Sequence, residues 1–517
     1  MDARDAQRIL AYHEATKHTE QSVRSSRHFL DWENQPLPFK VYRDLAPIAL
    51  RRDFPEREVP ALAAIAREPG GADRAERVPN LAALSRVLQL SAGITRARRH
   101  AGGTQYFRAY PNTGALHHVD LYLACGPLPD LAAGVYHFAP HDFALRRLRE
   151  GDWRGALVHA SGGSSDLARA PVVVASASTY WRNSWKYQAR AWRHCFWDAG
   201  TLHANLLAAA ATEDLAPRVL LGFADRPVEN LLGLDPAREG ALSLVPLGRS
   251  LAPPPTAAEP PALRLATEPV SPHEVDEPEI RAAHAASSLA DAAEAAAWRG
   301  RAPEWRPPAP VGPLTPLRPR AADALPQDSL DRVIRRRGST RAFDATRSIR
   351  FEELSTALEC STRGVPADFL EPPGATLLEL YLIVNAVDGL APGAYHYRRA
   401  ERSLERLREG DFRRTAGHLA LGQRLAADAA VNVYSLASLD AVLERFGGRG
   451  YRAAQLEGGI TGGRLYLAAY AQGFGASGLT FFDDEVTAFF SPHAAGRSVM
   501  FLVALGHADR IALGLAR

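Results

Sequence analysis

The chain has 517 residues and a formal net charge of +3, with 46% hydrophobic and 23% charged residues. That length is too great for one hydrophobic core, so we expect two domains of an ordinary globular protein. The small net charge argues against nucleic acid as a partner, and the lack of an apolar run of about 18 residues argues against a membrane span.

The cysteines and the N-terminal stretch indicate a compartment. The stretch MDARDAQRILAYHEATKH is polar and lacks the apolar core of a signal peptide. Cys125, Cys195 and Cys360 form no CxxC pair. So sparse and odd a set is typical of the reduced cytoplasm, where disulfides are rare, so we predict a cytoplasmic protein.

Apolar runs and turn formers predict the main elements, taken here in chain order. APVVVASAS (170–178) and ALSLVPLG (241–248) are typical of buried strands, and AGTLHANLLAAAATEDL of a core helix. Later, DSLDRVIRRRG predicts a short helix that begins near Ser329 and ends at Gly338, and GGRLYLAAYAQGFG predicts another core helix. Helices outweigh the widely separated strands, so we expect an α+β fold with a mixed sheet flanked by helices.

Proline is concentrated in the middle of the chain, as in LAPPPTAAEPP and RAPEWRPPAPVGPLTPLRPR. Such density is typical of an extended linker. Inside it, EIRAAHAASSLADAAEAAAWRG has alanines with spaced Leu and Ile, which predict one helix packed on a domain. We therefore divide the chain into residues 1–250, a linker at 251–325, and residues 326–517.

The two flanking parts contain the same sequence twice. LYLACGPLPDLAAGVYHFAPHDFALRRLREGDW (121–153) aligns without a gap with LYLIVNAVDGLAPGAYHYRRAERSLERLREGDF (380–412), at an offset of 259 residues. The same offset relates four further pairs: Arg190 and Arg449, Arg193 and Arg452, Gly200 and Gly459, and Asp225 and Asp484. We infer a tandem duplication into repeat 1 (1–250) and repeat 2 (326–517), packed as the internal equivalent of a homodimer.

A cluster of basic and hydroxyl residues, RRRGSTRAF (335–343), follows the short helix. Arg337, Ser339 and Arg341 are close enough in sequence to converge on one point past the helix end. Guanidinium forks and a hydroxyl are the donors that a phosphate monoester needs. An alternative is that these arginines only offset the dipole of the helix C-terminus.

Three motifs resemble those of one family. RGSTRAF resembles the N-terminal phosphate motif of the nitroreductase-like FMN enzymes. In repeat 1, RAYPNTGALHHVDLY (108–122) is similar to the R-x-x-P-S-x-G-A-L-x-P-x-E-L-Y signature of the SagB-type branch, which dehydrogenates azolines. WKYQARAWRHCFWDAG (185–200) is similar to a Lys-Tyr-x-x-Arg element of that branch. The resemblance implies a nitroreductase fold for each repeat, with FMN bound at the interface between them.

The two repeats keep different parts of such a site. Repeat 2 keeps the phosphate motif, but its loop reads LEPPGATLLELY (370–381). In repeat 1, VRSSRHF (23–29) is the nearest relative of the phosphate motif and lacks the leading arginine. Repeat 1 keeps the loop that contacts the flavin ring in the family, formed here by Pro111, Asn112, Thr113 and Gly114, although Asn112 replaces the usual serine. We therefore predict one FMN per chain, with its phosphate on repeat 2, its ring against repeat 1, and the mirror site lost.

The resemblance also implies further cofactor contacts in repeat 2. The backbone of Gly478, Leu479 and Thr480 is expected over the flavin. Arg497 is expected to close the phosphate pocket, and Gln423 to reach the pyrimidine edge.

Lys186 and Tyr187 are the candidate catalytic residues. Only three lysines occur among 61 Lys and Arg residues. Arginine does not deprotonate near neutral pH, so a retained lysine is expected where a titratable amine is needed, one whose pKa burial can lower. In the branch that this sequence resembles, the Lys-Tyr pair is thought to be catalytic, with lysine as the base. Repeat 2 has Arg445 and Phe446 there. The alternative is a surface lysine beside a core tyrosine.

These observations predict an FMN-dependent dehydrogenase or oxidase that acts on a peptide or natural-product intermediate, free or carrier-bound, for example from azoline to azole. Two alternatives stay open: an NAD(P)H-dependent reductase of nitro or quinone compounds, and a non-catalytic scaffold of a biosynthetic complex. No metal site is predicted, because the close histidine groups, His117–His118 and His137 with His141, lack a framework of carboxylates or cysteines. The electron acceptor and any further homodimer are also left open.

Overall fold

A computed structural model describes residues 3–67, 75–100, 103–304, 308–509 and 511–512. Each repeat forms one main sheet with helices packed on it, which confirms the α+β prediction. Within the described ranges, no helix is both long and apolar enough to cross a membrane.

The sheet of repeat 1 has six strands. In spatial order they are Pro47–Ala49, Ala144–Glu150, Gly134–Ala139, Val119–Cys125, Val172–Thr179 and Glu239–Leu247. Alternate residues of Val172–Thr179 pack into two separate hydrophobic clusters, so both faces of this strand are covered. The helices of this repeat are Ala3–Ala15, Glu20–Ser25, Ala61–Ile65, Leu81–Ala92, Arg154–Ala160, Ser165–Arg169, Trp181–Tyr187, Ala191–Thr212 and Asp225–Leu232, and a separate hairpin joins Ile94–His100 to Gly103–Arg108.

The sheet of repeat 2 has seven strands. In spatial order they are Gly475–Gly478, Ser498–Gly506, Val431–Ala437, Leu378–Val384, Gly393–Arg398, Ser403–Glu409 and Leu314–Pro316. Its helices are Leu330–Arg336, Phe351–Ser361, Arg413–Leu419, Arg424–Asp428, Leu439–Ala471 and Asp483–Phe490, and a short parallel ladder joins Ile349–Arg350 to Val387–Asp388. The ladders of both main sheets are antiparallel where we predicted mixed sheets, because short hairpin connections such as residues 399–402 can join only antiparallel strands.

The linker contains two helices, Pro278–Ala286 and Ala292–Trp298, where the sequence predicted one. The hydroxyl of Ser287 donates to the carbonyl of Ala283 at 2.7 Å, which closes the first helix. The carboxylate of Asp291 accepts from the amide of Glu294 at 2.9 Å and caps the second. The apolar pattern of this segment favours one continuous helix, but Ser287 and Asp291 end one helix and begin another.

The two repeats meet along their longest helices, Ala191–Thr212 and Leu439–Ala471, which we call the repeat-1 and repeat-2 core helices. They cross at Gly200 and Gly459, the pair related by the duplication. A Cβ at position 459 would lie 2.3 Å from the carbonyl oxygen of Trp197 and 2.9 Å from the Cα of Gly200. The backbones therefore touch at this crossing, and only glycine fits on the repeat-2 side.

Reciprocal buried ion pairs flank the crossing. Arg190 and Arg193 bind Asp483 at 2.9 and 2.6 Å, and Arg449 and Arg452 both bind Asp225 at 2.7 Å. Arginines of each core helix thus reach a carboxylate of the other repeat, as expected for an internal pseudo-dimer.

The sequence alignment paired Asp225 with Asp484. The structure shows that the counterpart of Asp225 in repeat 2 is Asp483. Helices Asp225–Leu232 and Asp483–Phe490 begin at these two residues and have equal length. Repeat 2 is therefore one residue shorter between its core helix and this helix, a change that a gapless alignment cannot reveal.

Candidate active site

The loop that contains Pro111, Asn112, Thr113 and Gly114 is fixed by the repeat-1 core helix. Thr201 on this helix donates its hydroxyl to the carbonyl of Pro111 at 2.6 Å. The carboxylate of Asp198 accepts from the amide of Thr113 at 2.9 Å and from its hydroxyl at 2.7 Å. Gly114 is exposed at the tip of the loop.

The loop adopts an unusual backbone conformation. Gly114 has a φ of 65°, and the non-glycine residues Ala115 and His117 have φ values of 56° and 52°. Non-glycine residues in this left-handed region cost roughly 1–2 kcal/mol each, and such strain is concentrated at functional sites. The side-chain oxygen of Asn112 accepts from the amide of His117 at 2.8 Å and closes the loop. Asn112 therefore has a structural reason to stand where the family has serine.

A buried ion pair lies beneath the loop, which the sequence analysis did not identify. Nε2 of His118 is 2.8 Å from Asp198, the carboxylate that holds Thr113. Burial lowers the pKa of His118, but hydrogen bonds to Asp198 and Cys195 outweigh it and raise this pKa to about 9. His118 is thus protonated at neutral pH. The only signal in the sequence was its place six residues after Asn112, in a histidine pair that we considered only as a possible metal site.

Lys186 and Tyr187 end the helix Trp181–Tyr187 beside this loop. A Cβ at Gly114 would lie 2.9 Å from the hydroxyl of Tyr187, so the loop tip and the tyrosine almost touch. The ammonium of Lys186 is half-buried and lies 5.4 Å from the centre of the Tyr187 ring. Within the part of the chain that the structure describes, this ammonium has no hydrogen-bond or ion-pair partner. The structure thus brings Lys186, Tyr187 and Gly114 together.

The residue after Tyr187 is strained. Gln188 has φ 49° and ψ −143°, and its counterpart in repeat 2, Gly447, has φ 56° and ψ −158°. Both repeats therefore need the same kink, which lies before the core helix in repeat 1 and inside it in repeat 2, and only repeat 2 makes it with glycine. A non-glycine residue in this conformation costs roughly 1–3 kcal/mol, and the strain lies directly beside Lys186 and Tyr187.

The phosphate motif of repeat 2 reaches the loop of repeat 1 through Arg337. Its guanidinium donates to the carbonyl of Ala109 at 3.2 Å and to that of Arg108 at 3.0 Å, just before Pro111. Burial lowers the pKa of Arg337. Asn205 donates to the same Ala109 carbonyl at 2.7 Å. Arg337 thus connects the two half-sites, with three of its five N–H donors engaged by carbonyls when its bond to Gly338 is included.

Ser339 and Arg341 face the same region. The hydroxyl of Ser339 is 3.3 Å from that of Tyr466, which also accepts from the amide of Gly478. Arg341 is exposed and has no hydrogen-bond or ion-pair partner among the described residues. Burial raises the pKa of Tyr187, and the nearby Arg341 guanidinium partly offsets that rise. Arg341 of repeat 2 and Tyr187 of repeat 1 therefore lie close enough to interact.

The segment Gly478, Leu479 and Thr480 runs beside this region. The amide of Leu479 donates to the carbonyl of Leu502 at 3.1 Å, which fixes the segment on the sheet edge. The hydroxyl of Thr480 is buried and has no partner within the described ranges. A buried, unpaired hydroxyl is unusual and leaves one donor and acceptor for a ligand.

We predicted that Arg497 closes the phosphate pocket, but the structure places this residue away from the phosphate motif. It lies at the start of strand Ser498–Gly506 and pairs with Glu379. The motif contacts the opposite end of this strand, where the amide of Asp344 donates to the carbonyl of His507. Nine strand residues separate the two ends by about 30 Å. Among the described residues His507 is a basic residue next to the motif, and the sequence alone did not indicate it.

Gln423 stays a prediction. Its side-chain amide donates to the carbonyl of Ala420 at 2.9 Å, next to the helix Arg424–Asp428. Leu425 of that helix packs in the same small cluster as Leu479, so Gln423 belongs to the neighbourhood of the site.

VRSSRHF (23–29) is not the counterpart of the phosphate motif. The residue before helix Ala61–Ile65, Pro60, pairs with Ser329, the residue before helix Leu330–Arg336, so these two helices correspond. The counterpart of the motif thus follows residue 66, and most of it lies outside the described residues. Arg27, His28 and Phe29 instead line a cavity with Trp181 and Trp185.

The assembled residues suit an anionic cofactor with a flat ring. Ser339 and the unpaired Arg341 offer donors to a phosphate. Gly114, Leu479 and the unpaired hydroxyl of Thr480 offer a surface on which a ring can lie with one polar contact. These groups come from both repeats, so neither repeat holds the site alone.

Comparisons with known proteins indicate the family of the chain. The chain is similar to a nitroreductase from Anabaena variabilis ATCC 29413 of known structure, with 27% identity, 97% of this chain and 99% of that chain covered, and a TM-score of 0.78. It is also similar to nitroreductase MJ1384 of Methanocaldococcus jannaschii, with 25% identity over 168 residues, which are 32% of this chain and 80% of that protein.

An FMN-dependent nitroreductase from Clostridium difficile R20291 matches with 13% identity over 34% of this chain and 84% of that chain, at a TM-score of 0.23. The sequence profile of the nitroreductase family matches twice, at residues 76–249 and 334–507, which together make up more than half of the chain. The protein therefore belongs to the nitroreductase family, as a tandem duplication of its domain.

Proposed function

We propose that this oxidoreductase is an FMN-dependent dehydrogenase that removes two electrons from a peptide or natural-product intermediate, in a reaction of the azoline-to-azole type. The observation that carries the proposal is the ammonium of Lys186, which has no hydrogen-bond or ion-pair partner among the described residues and lies beside Tyr187 where the two half-sites meet. A simple reductase does not need such a base. The proposed domain division at residues 250 and 326 gives each repeat one part of the site.

One FMN per chain is proposed. Ser339 and Arg341 would hold the phosphate, and Thr113 and Gly114 would lie against the ring, with Thr480 at its edge. When bound, FMN supplies the acceptor for a hydride. Arg337 would act mainly by fixing the distance between the phosphate motif and the loop, because carbonyls of repeat 1 already engage it.

Lys186 is proposed to take the proton that leaves the substrate. The other two lysines are structural: Lys40 binds Glu239 at 2.7 Å, and Lys17 binds Asp484 at 2.7 Å. The rarity of lysine therefore does not by itself mark a catalytic residue, but only Lys186 lacks a partner among the described residues. Tyr187, held against Gly114, would orient the substrate through its hydroxyl.

The substrate is proposed to enter next to Gln188. A cavity of about 630 Å³ lies there, lined by Trp181, Trp185 and residues of the N-terminal segment 22–34. Phe29, which lines the cavity, is 80% exposed, and Trp32, whose ring packs on that of Trp185, is 65% exposed. Cavities of this size with aromatic walls suit a segment of peptide better than a small quinone.

Substitution of Lys186 tests this assignment. Lys186→Ala and Lys186→Arg should both retain FMN, measured by its visible absorption, because neither removes a proposed cofactor contact. Both should slow anaerobic reduction of the flavin by azoline peptides by about 10²- to 10⁴-fold, the usual contribution of a general base. Arg445→Ala changes the duplicated position in repeat 2 and serves as the matched control, with unchanged reduction.

Three results would contradict the proposal in different ways. Unchanged reduction of the flavin in Lys186→Ala would remove the base. Rapid flavin reduction by NADPH, with none by any azoline peptide, would favour a nitro or quinone reductase. A protein that binds no added FMN would favour a scaffold.

A further inference from the structure

A second polar cluster lies in repeat 2, beside Arg497 and at the strand end remote from the phosphate motif. His396 and Glu405 stand directly opposite each other on neighbouring strands, and His493 follows the helix Asp483–Phe490. Nδ1 of His396 and Nε2 of His493 lie 3.9 and 3.8 Å from Oε2 of Glu405. The three ligand atoms all lie within 4.8 Å of one another.

His493 is oriented as metal-binding histidines are. Its Nδ1 lies 3.0 Å from the hydroxyl of Tyr381, whereas its Nε2 is buried and has no hydrogen-bond partner among the described residues. The side chain is only 5% exposed, so water does not readily satisfy this nitrogen. In metal sites one ring nitrogen of a histidine usually binds the metal while the other is held by a hydrogen bond. In His493 the hydrogen bond to Tyr381 holds Nδ1 and leaves Nε2 for a metal.

Glu405 is held in place by Val311, whose amide donates to Oε1 at 2.6 Å, and by Arg398, which donates to Oε2 at 3.1 Å. Each carboxylate oxygen has two lone pairs, so Oε2 retains one for a metal. The charge of Arg398 opposes a second cation, so we expect weaker binding than at a closed structural site.

The duplication provides an internal comparison. At the offset of 259 the counterparts of His396 and Glu405 in repeat 1 are His137 and Arg146, and at the offset of 258 (483 − 225) that applies from helix Asp483–Phe490 onwards the counterpart of His493 is Asp235. Repeat 1 therefore cannot form this set, although it shares the fold and the first histidine. In repeat 2, His396 and Glu379 line a cavity of about 670 Å³, which gives a route of access from outside.

We propose that His396, Glu405 and His493 bind a divalent transition metal of the zinc class, with a remaining coordination position reached from this cavity. Two imidazoles and one carboxylate are a common ligand set for Zn²⁺, and a set of three leaves one position open. Our sequence analysis expected no metal site, because it considered only the close histidine groups of repeat 1, and His493 is far from His396 and Glu405 in the chain. The proposal does not depend on the function of the FMN site.

Titration of chelator-treated, full-length protein with Zn²⁺ tests the site, with Co²⁺ difference spectra to report the coordination geometry. We expect one saturable site per chain, at least tenfold weaker in His493→Leu and in Glu405→Gln. Tyr381→Phe should weaken binding by about 10-fold, as loss of an orienting partner does. The exposed His418→Ala variant is the control and should bind as the original protein does.

FMN content, measured in parallel, reports whether each variant is folded. Absence of saturable binding in the original protein would overturn the proposal. Equal affinity in folded His493→Leu and Glu405→Gln would overturn it as well, because binding would then occur elsewhere.

Discussion

The crossing of the two core helices is predicted to be intolerant of a single methyl group. In Gly459→Ala the new Cβ would lie 2.3 Å from the carbonyl oxygen of Trp197 and 2.9 Å from the Cα of Gly200, and both are backbone atoms. Ordinary contacts exceed 3.4 Å, so the helices must separate by about 1 Å. Overpacking of this kind costs about 1–3 kcal/mol, against a gain of about 1 kcal/mol in helix propensity. We therefore expect a net loss of up to about 2 kcal/mol in the free energy of unfolding.

Denaturant unfolding of the protein with and without FMN measures this effect. Gly458→Ala is the matched control, because its Cβ would lie no closer than 3.3 Å to a side-chain atom of Phe501. FMN affinity should also fall in Gly459→Ala, since the site is assembled from both repeats, and should be nearly unchanged in the control. A Gly459→Ala variant as stable as the control, with the same FMN affinity, would refute the reasoning.

Three further predictions concern strain, the interface and pH. Gln188→Gly should raise the free energy of unfolding by about 1 kcal/mol in denaturant titrations, because it relieves a strained φ, and should slow substrate oxidation; a loss of stability would contradict the strain. Asp483→Asn should cost about 3–5 kcal/mol, because it leaves Arg190 and Arg193 buried without a counter-charge; a cost below 1 kcal/mol would contradict the role of this ion pair. The pKa of His118 lies at about 9 in the folded protein, above its ordinary 6.5, so its stabilising charge is fully present below pH 6.5 and is lost as pH rises through 9. Unfolding free energy should fall by about 3 kcal/mol over that window in the original protein and less in His118→Gln; equal pH profiles would contradict the assignment.

Local sequence was sufficient to predict the elements and the duplication. The strands near residues 172 and 240 and the helix that begins after Ser329 appear as predicted, because apolar runs and capping residues act over a few positions. The proximity of Arg341 to Tyr187, by contrast, depends on the pairing of the repeats. The sequence indicated it only through the complementary losses in the two copies.

The residues that the sequence analysis misplaced or missed share a physical cause. In each case the contact depends on a distance in space that the spacing along the chain does not give. Arg497 is ten residues from His507 in sequence, but an extended strand turns that spacing into about 30 Å. The ion pair of His118 with Asp198 joins residues 80 apart, and no local pattern marks it. Lys40 is one of the few lysines for a structural reason, because it binds the buried carboxylate of Glu239, which only the fold brings close to it.

The central claim is that two diverged repeats share one cofactor, and FMN binding stoichiometry tests it most directly. Titration of cofactor-free protein should saturate at one FMN per chain. Arg341→Ala in repeat 2 should weaken this binding by about 10- to 100-fold, the value of a charge-assisted hydrogen bond. Gly114→Val in repeat 1 should weaken the same single site, because its side chain would meet Tyr187. Two FMN per chain, with only half of the binding lost in Arg341→Ala, would contradict the claim.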